Sequence, residues 1–263
     1  MRKSPHSIDV YRRPRLNNPC LIAAWPGIAN VALGAVRYLR TSLEARGFAE
    51  LDPKPFFDIE GASIEENVIL GPRFPESKFY YWKDKRREKD LIILEGEEQP
   101  SYHGYHMATA VLDFAQRFGV ARVYTLAAAL VQQFTEQPRV WGAASEERVL
   151  EELRGHGLVL KGDFFVAGMN GLLLAVAKER HMEGICLLGE TPRFPAEIGN
   201  PFTSLAILES LAKVIQIDFD LDDLRDAAGN AHNEIDKLLS QSRSDFLDQF
   251  TVSLWDRTED ENS

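Results

Sequence analysis

Gly168-Met-Asn-Gly171 is the stretch of this chain whose residue types and spacing come nearest to a ligand-binding signature. Two glycines bracket a turn, and Leu172–Arg180 behind it has helical composition, without Gly or Pro. A helix N-terminus presents unpaired backbone N–H groups, so a turn of this kind is a ready anion site. The motif lacks the Lys-Ser/Thr of a phosphate loop and the third glycine of a dinucleotide fingerprint. A tight turn with close packing is the other reading of the two glycines.

Carboxylates supply the second candidate chemistry. Glu95, Glu97 and Glu98 follow the apolar run Leu91–Leu94, and Glu190-Thr191 follows Ile185–Leu188. In open α/β sheets the loops at the strand carboxyl ends line the binding crevice. Two carboxylates there could do acid–base work or hold a hard cation; solvated loop side chains are the plainer alternative. Pro26-Gly27 breaks the first strand at the same end. The candidate crevice is therefore Pro26, Gly27, Glu95, Glu97, Glu98, Gly168, Asn170, Gly171, Glu190 and Thr191, with a nucleoside, a phosphate or a cation as its ligand. His103 and His106 lie three apart near a helix start, but no third metal ligand is identifiable. Ser101 has no Gly-x-Ser-x-Gly elbow around it. No catalytic residue is assigned, and neither a metal nor a cofactor is expected.

These residues need a scaffold, and Phe164–Pro192 reads as a whole βαβ unit: a strand at Phe164–Ala167, a Gly-bracketed turn, a helix, and a strand at Ile185–Leu188. The pattern recurs upstream. Cys20–Trp25 reads as a buried strand, followed by a helix over Ile28–Arg46 with Gly47 as its C-cap. Asp90–Leu94, a helix over His106–Phe118 and a strand at Val123–Leu126 repeat the layout. A further strand is expected at Arg139–Ala143. Ser145 is expected to cap a helix over Glu146–Arg154. Asn200-Pro201 reads as an N-cap with proline at the first helical position, opening a helix over Phe202–Val214. Asp220 or Asp222 caps a last helix running to about Ser240. Phe56–Ile59, Ile64–Leu70 and Lys78–Trp82 are short β-prone runs forming an antiparallel excursion, whose aromatics Phe79–Trp82 are either an interface or hairpin core. At least five strand–turn–helix alternations in one direction give an α/β fold, a doubly wound three-layer α/β/α sandwich. The divisions are an irregular lead-in over 1–18, the core over 19–217, a helical segment over 218–255 and an acidic tail without stable structure over 256–263.

Composition narrows the partners. The net charge of −10 repels nucleic acid and anionic lipid, which excludes both as primary partners. Cys20 and Cys186 each sit beside an apolar strand-like run, as buried thiols in a reducing compartment. No apolar stretch follows Met1-Arg2-Lys3, and the longest apolar helical run, Leu172–Ala177, is far too short to span a bilayer. A cytoplasmic protein with no membrane partner is expected.

Five segments in order, Ala24-Trp-Pro-Gly-Ile, Leu94-Glu-Gly-Glu-Glu-Gln-Pro, Thr135-Glu-Gln-Pro-Arg-Val-Trp-Gly, Gly168-Met-Asn-Gly-Leu-Leu-Leu and Gly184-Ile-Cys-Leu-Leu-Gly-Glu-Thr-Pro, resemble the PAC2 family, named for a eukaryotic proteasome assembly chaperone. The resemblance covers about Pro19 to Leu239. It implies a purine-nucleoside-phosphorylase-like fold, a homo-oligomer such as a trimer, and a non-catalytic assembly, chaperone-like or scaffold role toward another protein. It carries over no catalytic residues. Archaeal members that help proteasome assembly resemble proteasome activators in ending with a hydrophobic–Tyr–any tripeptide; this chain ends Glu261-Asn-Ser, so docking by such a tail is not expected of it.

Overall fold

The computed structural model describes residues 8–86, 88–192 and 200–231. In chain order the first elements are β1 (Ile8–Val10), β2 (Cys20–Ala24), α1 (Val31–Ser42), β3 (Arg46–Leu51), β4 (Ile64–Glu65), β5 (Val68–Ile69), β6 (Ser77–Trp82) and β7 (Leu91–Gly96). Then come α2 (Gly104–Gln116), β8 (Arg122–Leu130), β9 (Val140–Ala144), α3 (Glu147–Leu153), α4 (Gly168–Glu179), β10 (Glu183–Thr191) and α5 (Pro201–Ile215). Residues 222–231, at the end of the described chain, are helical and are called α6.

Eight strands make one sheet in the order β1-β3-β6-β7-β2-β8-β10-β9, and β4 and β5 pair only with each other. The centre, β7-β2-β8-β10, is parallel. Its strands are near-continuous apolar runs because helices cover both faces. Along β2 the side chains alternate between two cores: Cys20, Ile22 and Ala24 face α1 and α5, while Leu21 and Ala23, with Trp25 just beyond, face α2 and α4. Three layers result. The α2 helix is pinned by an aromatic cluster in which Phe114 stacks on Phe48 at 5.7 Å and meets Phe79 at 4.7 Å.

The flanks depart from the sequence reading, and the sheet is mixed rather than unidirectional. The expected antiparallel excursion belongs to the main sheet: β3 and β6 extend it by antiparallel pairing onto β7. Within the expected irregular lead-in, Ile8–Val10 pairs antiparallel with β3 as an edge strand. Phe79 is fully buried in β6, and Phe56 and Phe57 are buried outside any strand. Phe164–Ala167 is not a strand, since its backbone finds no ladder partner; the strand ahead of α4 is β9, antiparallel to β10. The helix expected over 28–46 is a 3-10 turn at Ile28–Asn30 followed by α1. Ala29 and Asn30 adopt positive φ between them, and Gly47 lies inside β3 rather than capping a helix. Ser145 caps nothing: its Oγ accepts the Gly184 N–H at 2.9 Å, and Glu146 takes the N-cap position.

The Asn200 cap reading holds, and at the start of α6 the nearest counterpart is a side-chain bond from Asp220, one residue ahead of the N-cap position. The Asn200 side chain accepts the Thr203 N–H at 3.2 Å with Pro201 next in the helix, and Asp220 Oδ1 accepts the Asp222 N–H at 2.8 Å as α6 begins. The loop expected at 193–199, the helical segment beyond 231 and the acidic tail lie outside the described residues.

Asn200 is buried and also donates to Thr191 Oγ1 at 2.9 Å, so one side chain ties the end of β10 to the start of α5. Asn200→Ala should lower the unfolding free energy by about 1 to 2 kcal/mol, the usual cost of losing an N-cap. Urea denaturation checks this, and an unchanged midpoint would refute it.

Candidate functional site

The carboxyl ends of β2 and β7 and the first turn of α4 meet in a clasp built from two side-chain amides. Asn170 Oδ1 accepts the Trp25 N–H at 2.9 Å, and its Nδ2 donates to the Trp25 carbonyl at 3.1 Å. The amide thus stands in for a strand residue where the ladder of β2 ends. Gln99 does the same one residue further on: Nε2 donates to the Pro26 carbonyl at 2.7 Å, and Oε1 accepts the Met169 N–H at 2.9 Å.

The glycines make room for these contacts. Gly168 has φ +68, and a Cβ there would lie 2.7 Å from Gln99 Oε1. A Cβ on Gly171 would lie 1.9 Å from the Val166 carbonyl oxygen. Close packing therefore explains both glycines, and one of the N–H groups that would cradle an anion is already taken by Gln99. Pro26, Gly27, Gly168, Asn170 and Gly171 do come together. Gln99 was missed by sequence reasoning, although it stands directly after the acidic run that was singled out.

The carboxylates do not converge on this clasp. Glu95 lies in β7 and is held by Arg37 Nε at 2.6 Å and Arg40 Nε at 3.0 Å from α1. Glu97 pairs with Arg73 at 3.2 Å and accepts the Glu76 N–H at 3.0 Å. Glu98 lines a cavity of ≈ 290 Å³ with Glu97, Arg37 and Arg73. Glu190 sits two strands away from β2, on β10, only 5% exposed. It takes Arg139 at 2.7 Å and the Trp141 Nε1–H at 2.9 Å. Burial alone would push its carboxyl up, but the hydrogen bonds from Arg139 and Trp141 outweigh it and hold the carboxyl below its usual range. Thr191 is fully buried between Asn200 and the Pro192 carbonyl. Glu95, Glu97 and Glu190 each have a structural partner in their own chain; for Glu98 none is found among the described residues.

The remaining candidates also have plain surroundings. The His103 and His106 rings lie 5.5 Å apart on the surface at the start of α2. Among the described residues no group of three or more His, Cys, Asp or Glu is placed to hold a metal ion. Both cysteines are buried, and burial pushes their thiols up to about 12, which leaves them unreactive near neutral pH. No helix among the described residues is long and apolar enough to cross a membrane.

The open features are apolar ones, in stretches that sequence reasoning took for strands, Phe164–Ala167 and Ile64–Leu70. A groove of ≈ 750 Å³ runs beside α4, lined by Phe164, Phe165, Val166, Leu172 and Leu174 among others. The β4–β5 hairpin exposes Ile64, Val68 and Ile69.

Comparison with known proteins accounts for this layout. The PAC2 family profile matches residues 21–239, most of the chain. The chain belongs to the PAC2 family. Among similar solved structures, PbaB of Pyrococcus furiosus, described as an archaeal proteasome activator, is 31% identical with a TM-score of 0.76; the alignment covers 89% of this chain and 98% of that one. PbaA of the same organism, described as an archaeal homolog of proteasome-assembly chaperone, is 21% identical with a TM-score of 0.68, covering 91% and 99%. The uncharacterised protein MJ1210 of Methanocaldococcus jannaschii is 27% identical over 229 residues, 85% of this chain and 84% of its own. The clasp and the Glu190–Thr191 pair both fall within the stretch that defines the PAC2 match.

Two substitutions separate structural from chemical roles here. Asn170→Ala leaves two buried backbone groups of Trp25 without partners and should cost about 2 to 3 kcal/mol in urea unfolding; a loss under about 0.5 kcal/mol would remove the clasp from the argument. For Glu190, the folded carboxyl lies below its unfolded value, so its contribution is present above the unfolded value and is lost as pH falls through the folded one. Glu190→Gln should therefore destabilise by about 1.5 to 3 kcal/mol at neutral pH. The gap to the unaltered protein should narrow below about pH 4. Urea midpoints across that range report it, and a gap independent of pH would contradict the pairing.

Proposed function

We propose that this chain is a non-catalytic homo-oligomeric protein of the assembly-chaperone or activator kind, working in the cytoplasm on other protein subunits, with proteasome components as the clients to test first. One observation carries the reading: the polar groups at the strand carboxyl ends are turned onto their own chain, while apolar surface is left open. The Asn170 and Gln99 amides, the Glu95 and Glu190 carboxylates and the Thr191 hydroxyl all bond within the fold. A small-molecule site keeps convergent polar groups free for its ligand. A protein-binding surface keeps exposed apolar area.

The likeness to PbaB, at 31% identity over nearly its whole length, supports protein subunits as partners. In this reading Pro26, Gly27, Gly168, Asn170 and Gly171 hold the central strand and α4 together rather than touch a ligand. The alternative, a crevice taking a nucleoside, a phosphate or a cation, would need the arginines on Glu95 and Glu190 to let go.

Native mass spectrometry of the protein purified gently from its own source tests the choice. The expected result is a homo-oligomer that retains a proteasome subunit or assembly intermediate and carries no small-molecule adduct. A monomer carrying one stoichiometric small molecule, lost in Glu95→Gln or Glu97→Gln, would overturn the reading.

A further inference from the structure

One end of the sheet carries the charge opposite to the chain as a whole. The parallel strands β7, β2 and β8 begin there, at Leu91, Cys20 and Arg122. β6 arrives antiparallel, so Trp82 stands opposite Leu91, and Arg46 at the start of β3 stands opposite Tyr81. The turn from β6 to β7 therefore lies at this end and brings Lys83, Lys85, Arg86 and Lys89 with it. The chain ahead of β2 crosses the same end. Its Arg12 N–H donates to the Phe48 carbonyl of β3 at 3.2 Å, and its Asn17 N–H donates to Asp90 Oδ2 at 2.7 Å, beside the start of β7. Arg13 and Arg15 lie between those two anchors.

These cations are the uncommitted ones. Among the described residues, Arg12, Arg13, Arg15, Arg46 and Arg117 have no acid within ion-pairing distance, whereas every other described arginine has one. The first four belong to this end already. Arg117, at the foot of α2, joins them because the neighbouring Phe118 packs on Phe48 at 5.3 Å. Arg12, Arg13, Arg15, Arg46, Lys83 and Lys85 are all exposed. Two acids of the same stretch are turned inward: Asp84 accepts the Arg86 and Glu88 N–H groups, and Asp90 accepts those of Asn17 and Asp84. In a chain of net charge −10 this is a local reversal of sign, which draws an anionic partner to one place.

The patch also holds a cavity. A hollow of ≈ 920 Å³ opens between the end of α1, the end of β6 and the residues after α5. Leu43, Trp82 and Phe219 give it apolar wall, and Arg46, Lys83 and Lys85 give it cations, with Glu44 and Asp218 as its exposed acids. Such a lining suits an apolar side chain flanked by carboxylates. From β3 to β7 is two strand spacings, about 10 Å, which an extended segment covers in about three residues and one small anion does not. A nucleic acid would carry its charge past the patch onto the acidic remainder of the surface.

We infer that this end of the sheet binds an extended acidic segment of a partner protein, its carboxylates on Arg13, Arg15, Lys83 and Lys85 and one apolar side chain in the cavity beside Trp82 and Phe219. This rests on the reading above that the chain works on other proteins, and adds the chemistry of the segment it takes.

Fluorescence anisotropy of a labelled peptide of Glu and Leu, titrated with the full chain at low salt, tests it. The expected result is saturable binding that weakens as salt is raised. Lys83→Glu together with Lys85→Glu should weaken it about tenfold or more, with unchanged circular dichroism. Lys54→Glu together with Lys161→Glu changes the net charge equally outside the patch and should leave the affinity in place. A peptide of Glu and Gly should bind less tightly, since it has no side chain to seat in the cavity. Absence of binding, an affinity that the Lys83 and Lys85 substitutions do not lower, or equal binding of the Glu–Gly peptide would overturn the site. So would tighter binding of a thymidine single strand of equal charge, or displacement of the peptide by an equal concentration of inorganic phosphate. Those last two results would mark a nucleic-acid surface and a small-anion site. None of these readouts depends on oligomeric mass or on a retained client, so this site can fail while the oligomer reading stands.

Discussion

Two hydrogen bonds between the Asn170 amide and the Trp25 backbone hold the molecule's centre to its outer layer. A parallel strand ends with peptide groups that its neighbours no longer satisfy, and Trp25 is fully buried, so water cannot take them. An asparagine satisfies both groups of one residue, because its amide copies the donor and acceptor of a peptide. The partner is 145 residues away in sequence. Fixing it sets where α4 begins, which in turn fixes how α4 lies on β8 and β10. Gln99 extends the same solution by one residue and joins the exit of β7 to it. The indole of Trp25 is part of the constraint: a Cβ on Gly96 would lie 2.2 Å from its Nε1, so the exit of β7 must be glycine.

The same economy governs the acids. A carboxylate taken out of water needs a cation and hydrogen bonds together. Glu190 has a guanidinium, an indole N–H and a backbone N–H within reach. Glu95 has two guanidinium groups from one face of α1. Both acids therefore act as ties, one from β10 to β9 and the other from β7 to α1. A crevice whose acids are committed in this way has little left with which to transfer a proton or hold a metal. A fold of this class by itself fixes no function, so what matters is where such charges are placed.

Much of the fold was legible because the central elements are locally consistent. The buried runs at Cys20–Ala24 and Leu91–Leu94, the periodic helix at α2 and the Asn200-Pro201 start of α5 all say the same thing at the level of propensity, pattern and capping. What escaped was set by distant pairing. Ile8–Val10 is too short to announce itself and exists because β3 offers it an edge. Arg46–Leu51 contains Arg, Gly and Glu; its first two residues read as a helix end and C-cap, and the strand exists because β6 pairs with it. The candidate site was legible in part: the glycines and Asn170 were located, and of the two readings of the glycines, an anion cradle or a tight, closely packed turn, it is the packing one that the contacts at Gly168 and Gly171 support. The amide of Gln99, which occupies that position, carries no local motif to mark it.

Phe164–Ala167 joins the error in the fold to the open surface. By composition it is a strand of the right length, apolar and bounded by glycine. It has no ladder partner among the described residues, and the absence of a Cβ at Gly171 lets the Val166 carbonyl lie against the start of α4, where a Cβ would come within 1.9 Å of it. An apolar run that does not pair leaves its side chains facing water. Nature tolerates that at singly exposed residues, but here Phe164 and Phe165 adjoin Leu172 and Leu174 around one groove. The hairpin repeats the pattern: Ile64, Val68 and Ile69 have strand propensity and a well-formed turn, yet no sheet receives them. In both places the local signal is correct and burial within the chain is missing. Departures of that kind mark where a fold gives up self-consistency for function.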